Sequence, residues 1–160
     1  MKLIQFINQT IRIVCITLII IIIFTTFFQV IVRYLFSSSY TWVEETAIWS
    51  MVWIIFLGSV LGIVEDAHPK VDFFTNLLPS KAKGIVESFS NLVCAIVAAL
   101  LGYYSIDLVQ SNFHKISVGL QIPISILYLS LLIGSVLMAL FFLVKAYESI
   151  RGAFGKGVEN

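Results

Sequence analysis

Four stretches of this chain contain no Asp, Glu, Lys or Arg: Ile13 to Val32, Thr46 to Val64, Ser88 to Ile106 and Ile116 to Val144. Each reaches the roughly 19–20 apolar residues a helix needs to cross the hydrocarbon core of a bilayer. Lipid offers no hydrogen-bond partner, so such a run must satisfy its own backbone, which a helix does. The runs therefore predict an all-α integral membrane protein, a single membrane domain over 1–160. Its spans are expected at about 11–36, 42–64, 86–110 and 122–147. Little is left over but short connections, so no soluble domain exists to hold a nucleotide, a nucleic acid or a cofactor. A hydrophobic content of 59% and a net charge of +1 agree with that exclusion. The fourth run is longer than one crossing requires, so part of it is expected to tilt or to lie at the interface. The first is read as a retained span, because it exceeds a signal peptide's apolar core and no A-x-A site follows.

The basic residues set an orientation. Lys2, Arg12, Lys70, Lys81, Lys83, Lys145, Arg151 and Lys156 fall on one side of the four spans, and only Arg33 and Lys115 on the other. The positive-inside rule then places both termini and the connection after the second span in the cytoplasm. Tyr34, Tyr40 and Trp42 gather at the outer end of the first two spans, where an apolar ring with one polar atom prefers the headgroup level. Trp49 and Trp53 lie deeper along the second span and call for a packing or partner role.

The one long polar stretch runs from Glu65 to Glu87. Within it Val71, Phe74 and Leu78 recur at helical spacing, and Phe73 and Leu77 widen the stripe. Pro69 suits a first helical turn and Pro79 stops the pattern. A short amphipathic helix over about 69–78, lying in the membrane plane on the cytoplasmic side, is expected.

No ionisable residue lies deep in a span; the polar residues there are mild, such as Thr25, Thr26, Gln29 and Ser135. A transport path normally keeps an intramembrane charge, so the chain alone is a poor conduit. Arg33, Glu44 and Glu45 fall near the outer ends of the first two spans, where Arg33 either pairs with one of the glutamates or stays single. His68 and His114 lie on opposite sides of the membrane and cannot share one metal or haem. Cys15 and Cys94 lie in different spans without ligand spacing, which reads as packing. No cofactor, metal or catalytic group is expected.

Small residues four apart let helices approach closely. The second span carries Gly58 and Gly62, the third Ala95, Ala98, Ala99 and Gly102, and the fourth Ser130, Gly134, Ser135 and Ala139. Gly58 and Gly62, with Trp49 and Trp53, are the expected helix-packing or partner surface.

The order of these residues resembles the small membrane subunit, of DctQ type, of tripartite ATP-independent periplasmic (TRAP) transporters. The resemblance rests on Arg33 closing the first span and Trp42-Val43-Glu44-Glu45 opening the second. It continues through Gly58, His68 with Val71-Asp72, Leu78-Pro79, Pro123 and Tyr128. Pro69 departs from the family's usual aliphatic residue. The resemblance implies a non-catalytic subunit in a bacterial inner membrane, paired with a large membrane subunit. That partner would carry the substrate and sodium sites, and a periplasmic binding protein would deliver an organic acid. Arg33, Glu44 and Glu45 are then expected to brace the outer ends. Val71, Phe73, Phe74, Leu77 and Leu78 would anchor the chain on membrane lipid. The rival readings are a self-sufficient homo-oligomeric transporter or channel, and a membrane redox subunit.

Overall fold

The computed structural model describes residues 2–38, 40–65 and 80–155, with side chains described over 5–38, 40–65 and 82–152. Four helices make up nearly all of it: α1 (Lys2–Phe36), α2 (Thr41–Val64), α3 (Ser80–Ser111) and α4 (Ser125–Gly155). Each is long and apolar enough to cross a membrane, so the four runs do become four candidate spans. The expected interfacial helix, with His68, Pro69, Val71, Phe73, Phe74, Leu77 and Leu78, lies outside the described residues.

The helix ends show where local chemistry overrides the apolar pattern. At 1.5 Å per residue, the 35 residues of α1 extend about 52 Å, well beyond a 30 Å core. The helix stops where Ser37 turns left-handed at φ 49°, and Tyr40 is extended ahead of α2. The long fourth run divides in two. Residues 116–124 form a connection in which Ile116 and Pro123 make an antiparallel bridge. The Ser117 N–H donates to Ile122 O and the Ile124 N–H to Lys115 O, both at 2.9 Å. Gln121, at φ 55°, turns the corner, and Pro123, with no N–H to lose, leads into α4. The excess length of that run is thus a turned segment.

In space the helices follow the order α1, α2, α4, α3: α1 packs on α2, α2 on α4, and α4 most extensively on α3. Among the described residues α1 and α3 do not meet, so the helices form an open row instead of a closed bundle. Small residues set the closest approaches. A Cβ added at Gly134 of α4 would lie 2.6 Å from Phe56 Cβ of α2, and one at Gly102 of α3 would lie 3.1 Å from Ser135 Oγ. Ala95 and Ala98 of α3 and Ser105, Ser130 and Ser135 are buried. The hydroxyls of these serines donate back to Gly102 O, Leu127 O and Leu132 O, so they add little bulk and leave no orphan donor. Ser88 Oγ ties α3 to α4 through Ala146 O at 2.9 Å. The remaining core joins α1, α2 and α4: Ile11, Cys15, Leu57 and Val60, with Trp53, Leu137 and Phe141 packed against them.

Candidate interaction site

The connections that follow α1 and α3 lie at one end of the row, here the hairpin end; the start of α1 and the end of α4 lie at the other, the terminal end. The Trp42-Val43-Glu44-Glu45 segment is the first turn of α2 at the hairpin end. Successive helical residues point about 100° apart, so four consecutive side chains reach four directions. The Trp42 ring stacks obliquely on Phe28 of α1, centroids 6.0 Å apart. Val43 is buried, at 1% exposure. Glu44 turns to α1 and accepts a hydrogen bond from Gln29 Nε2 at 2.7 Å.

Glu45 turns the opposite way, into the 112–124 connection. Its Oε2 accepts from Ser117 Oγ and from the Leu120 N–H, the latter at 2.9 Å. A carboxylate so held by a hydroxyl and a backbone amide is a charge-assisted clamp, stronger than a neutral pair. The backbones also close here: a Cβ on Gly119 would lie 2.7 Å from Trp42 N and 2.8 Å from Thr41 C. Only glycine lets the connection sit so near the start of α2. The motif is therefore a junction joining α1, α2 and the α3–α4 connection.

Arg33 lies beside this junction. Together with Ser37, Ser38 and Glu44 it lines an open recess, yet among the described residues it forms no ion pair with Glu44 or Glu45. Each of the three expected bracing residues thus has a different environment: Glu45 is clamped, Glu44 is bonded to Gln29, and Arg33 faces the recess. Sequence reasoning missed Gln29 as a partner, and it missed Ser117, Gly119 and Leu120 altogether. The turn formers Ser117, Gly119 and Pro123, dispersed in a charge-free run, were the available signal.

The four residues expected to form one packing surface do not share a face. Trp53 packs on the core, whereas among the described residues a Cβ at Gly58 or Gly62 would meet nothing within 4 Å. Trp53 and Gly62 are nine residues apart, which at 100° each is half a turn. The glycines instead continue an outward stripe through Ile48, Met51 and Ile55, each at least half exposed. At the terminal end Arg12 pairs with Glu65, linking α1 to the end of α2 at an exposed position.

Chemically this is a set of contacts. Among the described residues no three His, Cys, Asp or Glu side chains converge as metal ligands. Both cysteines are free, and His114 stands edge-on to Phe113 at the hairpin end.

Comparison with known proteins fits this architecture. The family model described as "Tripartite ATP-independent periplasmic transporters, DctQ component" matches residues 22–152. A Haemophilus influenzae protein provisionally described as a TRAP transporter small permease protein is 26% identical over 149 residues, covering 91% of each chain. The isethionate TRAP transporter permease protein DctMQ of Oleidesulfovibrio alaskensis is 30% identical over 138 residues, which is 81% of this chain but 22% of that protein. The sialic acid TRAP transporter permease protein SiaT of Haemophilus influenzae is 30% identical over 78 residues, 49% of this chain and 13% of that one.

Proposed function

This chain belongs to the DctQ component family of TRAP transporters, and from that premise we propose that it is a non-catalytic scaffold for sodium-coupled uptake of an organic acid. It is a multi-pass membrane protein and a small permease subunit, and its family works with a large membrane subunit. The observation that carries the scaffold reading is the missing intramembrane charge: all four runs lack Asp, Glu, Lys and Arg. A path for an anion and a cation needs polar coordination at depth, which must then come from another chain.

Two further facts support a partner along the row. In DctMQ the matching segment is about a fifth of a much longer protein, so a related sequence occurs covalently joined to additional permease. Among the described residues nothing fills the Gly58–Gly62 stripe, which has the small-residue spacing that admits another helix. In this reading the stripe receives a helix of the large subunit. The termini face the cytoplasm of an inner membrane, following the basic residues, and the hairpin end faces the periplasmic binding protein. The amphipathic stretch read from the sequence over about 69–78, with Val71, Phe73, Phe74, Leu77 and Leu78, is proposed to rest on lipid. The solutes named for DctMQ and SiaT, isethionate and sialic acid, are organic anions, which is the substrate class proposed here.

Reconstitution tests the proposal. The full chain in liposomes should give no solute flux, with or without a sodium gradient. Adding the large subunit and the binding protein should give sodium-dependent accumulation of the bound anion. Flux from this chain alone would replace the scaffold reading with a self-sufficient transporter.

A further inference from the structure

The recess lined by Arg33, Ser37, Ser38 and Glu44 holds one charge of each sign that do not neutralise each other. Glu44 is kept in place by Gln29 at 2.7 Å, and among the described residues the Arg33 guanidinium has no carboxylate within ion-pair distance. A second source of positive potential adjoins it. The N-terminus of α2 has no side-chain cap at Tyr40, so the positive end of its dipole favours an anion nearby. Tyr34, Tyr40 and Trp42, close in the chain to the recess residues, are all exposed, and are the residue types that lodge at the headgroup level.

Below the recess the surface becomes apolar. Ile48, Met51 and Ile55 follow Glu44 at helical spacing and are each at least half exposed. They extend about 6 to 16 Å along α2 from Glu44, the depth of one leaflet. Gly58 and Gly62 begin about 21 Å down, in the opposite leaflet. The lipid-facing column and the glycine step therefore occupy different halves of the same helix face.

We infer that this recess binds a phosphate ester bearing a primary ammonium, supplied as the headgroup of a phosphatidylethanolamine. The phosphate sits on Arg33 beside the positive end of the α2 dipole, the ammonium donates to Glu44, and an acyl chain runs over Ile48, Met51 and Ile55. A phosphatidylglycerol headgroup offers Glu44 no cation. A phosphatidylcholine headgroup carries a cation with no N–H to donate.

Native mass spectrometry of the full chain in mild detergent tests this, with the three phospholipids supplied at equal concentration and with identical acyl chains. The wild-type chain should retain phosphatidylethanolamine about two- to fivefold more than either rival, the range of an exposed ion pair. Glu44→Gln should abolish the preference over phosphatidylglycerol, and Arg33→Gln should lower retention of both. Equal retention of the three lipids by the wild-type chain would overturn the site, as would an unchanged preference in Glu44→Gln. If Arg33→Gln does not yield folded protein, the wild-type and Glu44→Gln comparisons decide alone. Millimolar O-phosphoethanolamine separates the two sources of the headgroup: displacement of the lipid by it would overturn the lipid assignment, and retention of the lipid would support it.

Discussion

The two halves of α2 are built on opposite plans. At the hairpin end its first turn is fastened on several sides: Val43 is buried, Glu44 accepts from Gln29, Glu45 from Ser117 and Leu120, and Gly119 lies against the Trp42 backbone. Towards the terminal end, Val60 and Ile63 are packed, but on the opposite face a Cβ at Gly58 or Gly62 would meet nothing within 4 Å among the described residues. One helix thus combines a fixed anchor with an unfilled groove. Without a hydrophobic drive between helices in lipid, association depends on close packing and hydrogen bonds. The anchor uses both within the chain, and the groove leaves close packing available to a second chain.

The largest effect should come from crowding the anchor. Gly119→Val introduces a Cβ 2.7–2.8 Å from the backbone of Thr41 and Trp42, and backbone has nowhere to swing. Overpacking of this kind costs about 1–3 kcal/mol and sometimes more, so the purified chain should lose thermal stability sharply in detergent. A melting profile equal to wild type would mean that the connection is not seated on α2.

Next in size is Glu45→Ala, which strands the Ser117 hydroxyl and leaves the Leu120 amide only its longer, 3.2 Å bond to Ser117 Oγ. Leaving a buried hydroxyl without an acceptor is costly. Glu44→Ala removes a bond on an exposed side chain and should cost well under that. Comparing thermal unfolding of the two variants tests the asymmetry between adjacent glutamates. Equal losses would contradict the division of labour within the motif.

What was legible in the sequence follows the same contrast. The helices were legible because a charge-free run in lipid has so few ways to satisfy its backbone. The bridge and corner inside 116–124 were not, because Ile116, Val118, Leu120 and Ile122 kept that run apolar while Ser117, Gly119, Gln121 and Pro123 bent it. Glu44 and Glu45 stood out as a motif. The partners of Glu45, however, lie 72 and 75 residues away, and no local pattern names them. Small-residue steps were visible in three helices, but the same spacing serves two ends: Gly102 and Gly134 are filled from within the chain, and Gly58 and Gly62 are not. Which step is used internally depends on the row order α1, α2, α4, α3, a tertiary fact.

The smallest effect on the chain itself, and the most informative about its partner, should come from the groove. A Cβ at Gly58 meets open space, so Gly58→Ala removes only the entropic handicap of glycine in a helix, a gain of about 0.5–1 kcal/mol. The isolated chain should melt at the same temperature or slightly higher. If the glycine step receives a helix of the large subunit, Gly58→Leu should insert normally and yet lower the amount of large subunit recovered with the tagged chain. The two readouts must move apart, because the same face is empty in one setting and filled in the other. Full recovery of the pair with Gly58→Leu would assign this stripe to lipid and shift the search for the interface to the exposed faces of α1, α3 and α4. A loss of stability in the isolated Gly58→Ala chain would mean instead that α2 packs internally on this face, and the contrast between its two halves would disappear.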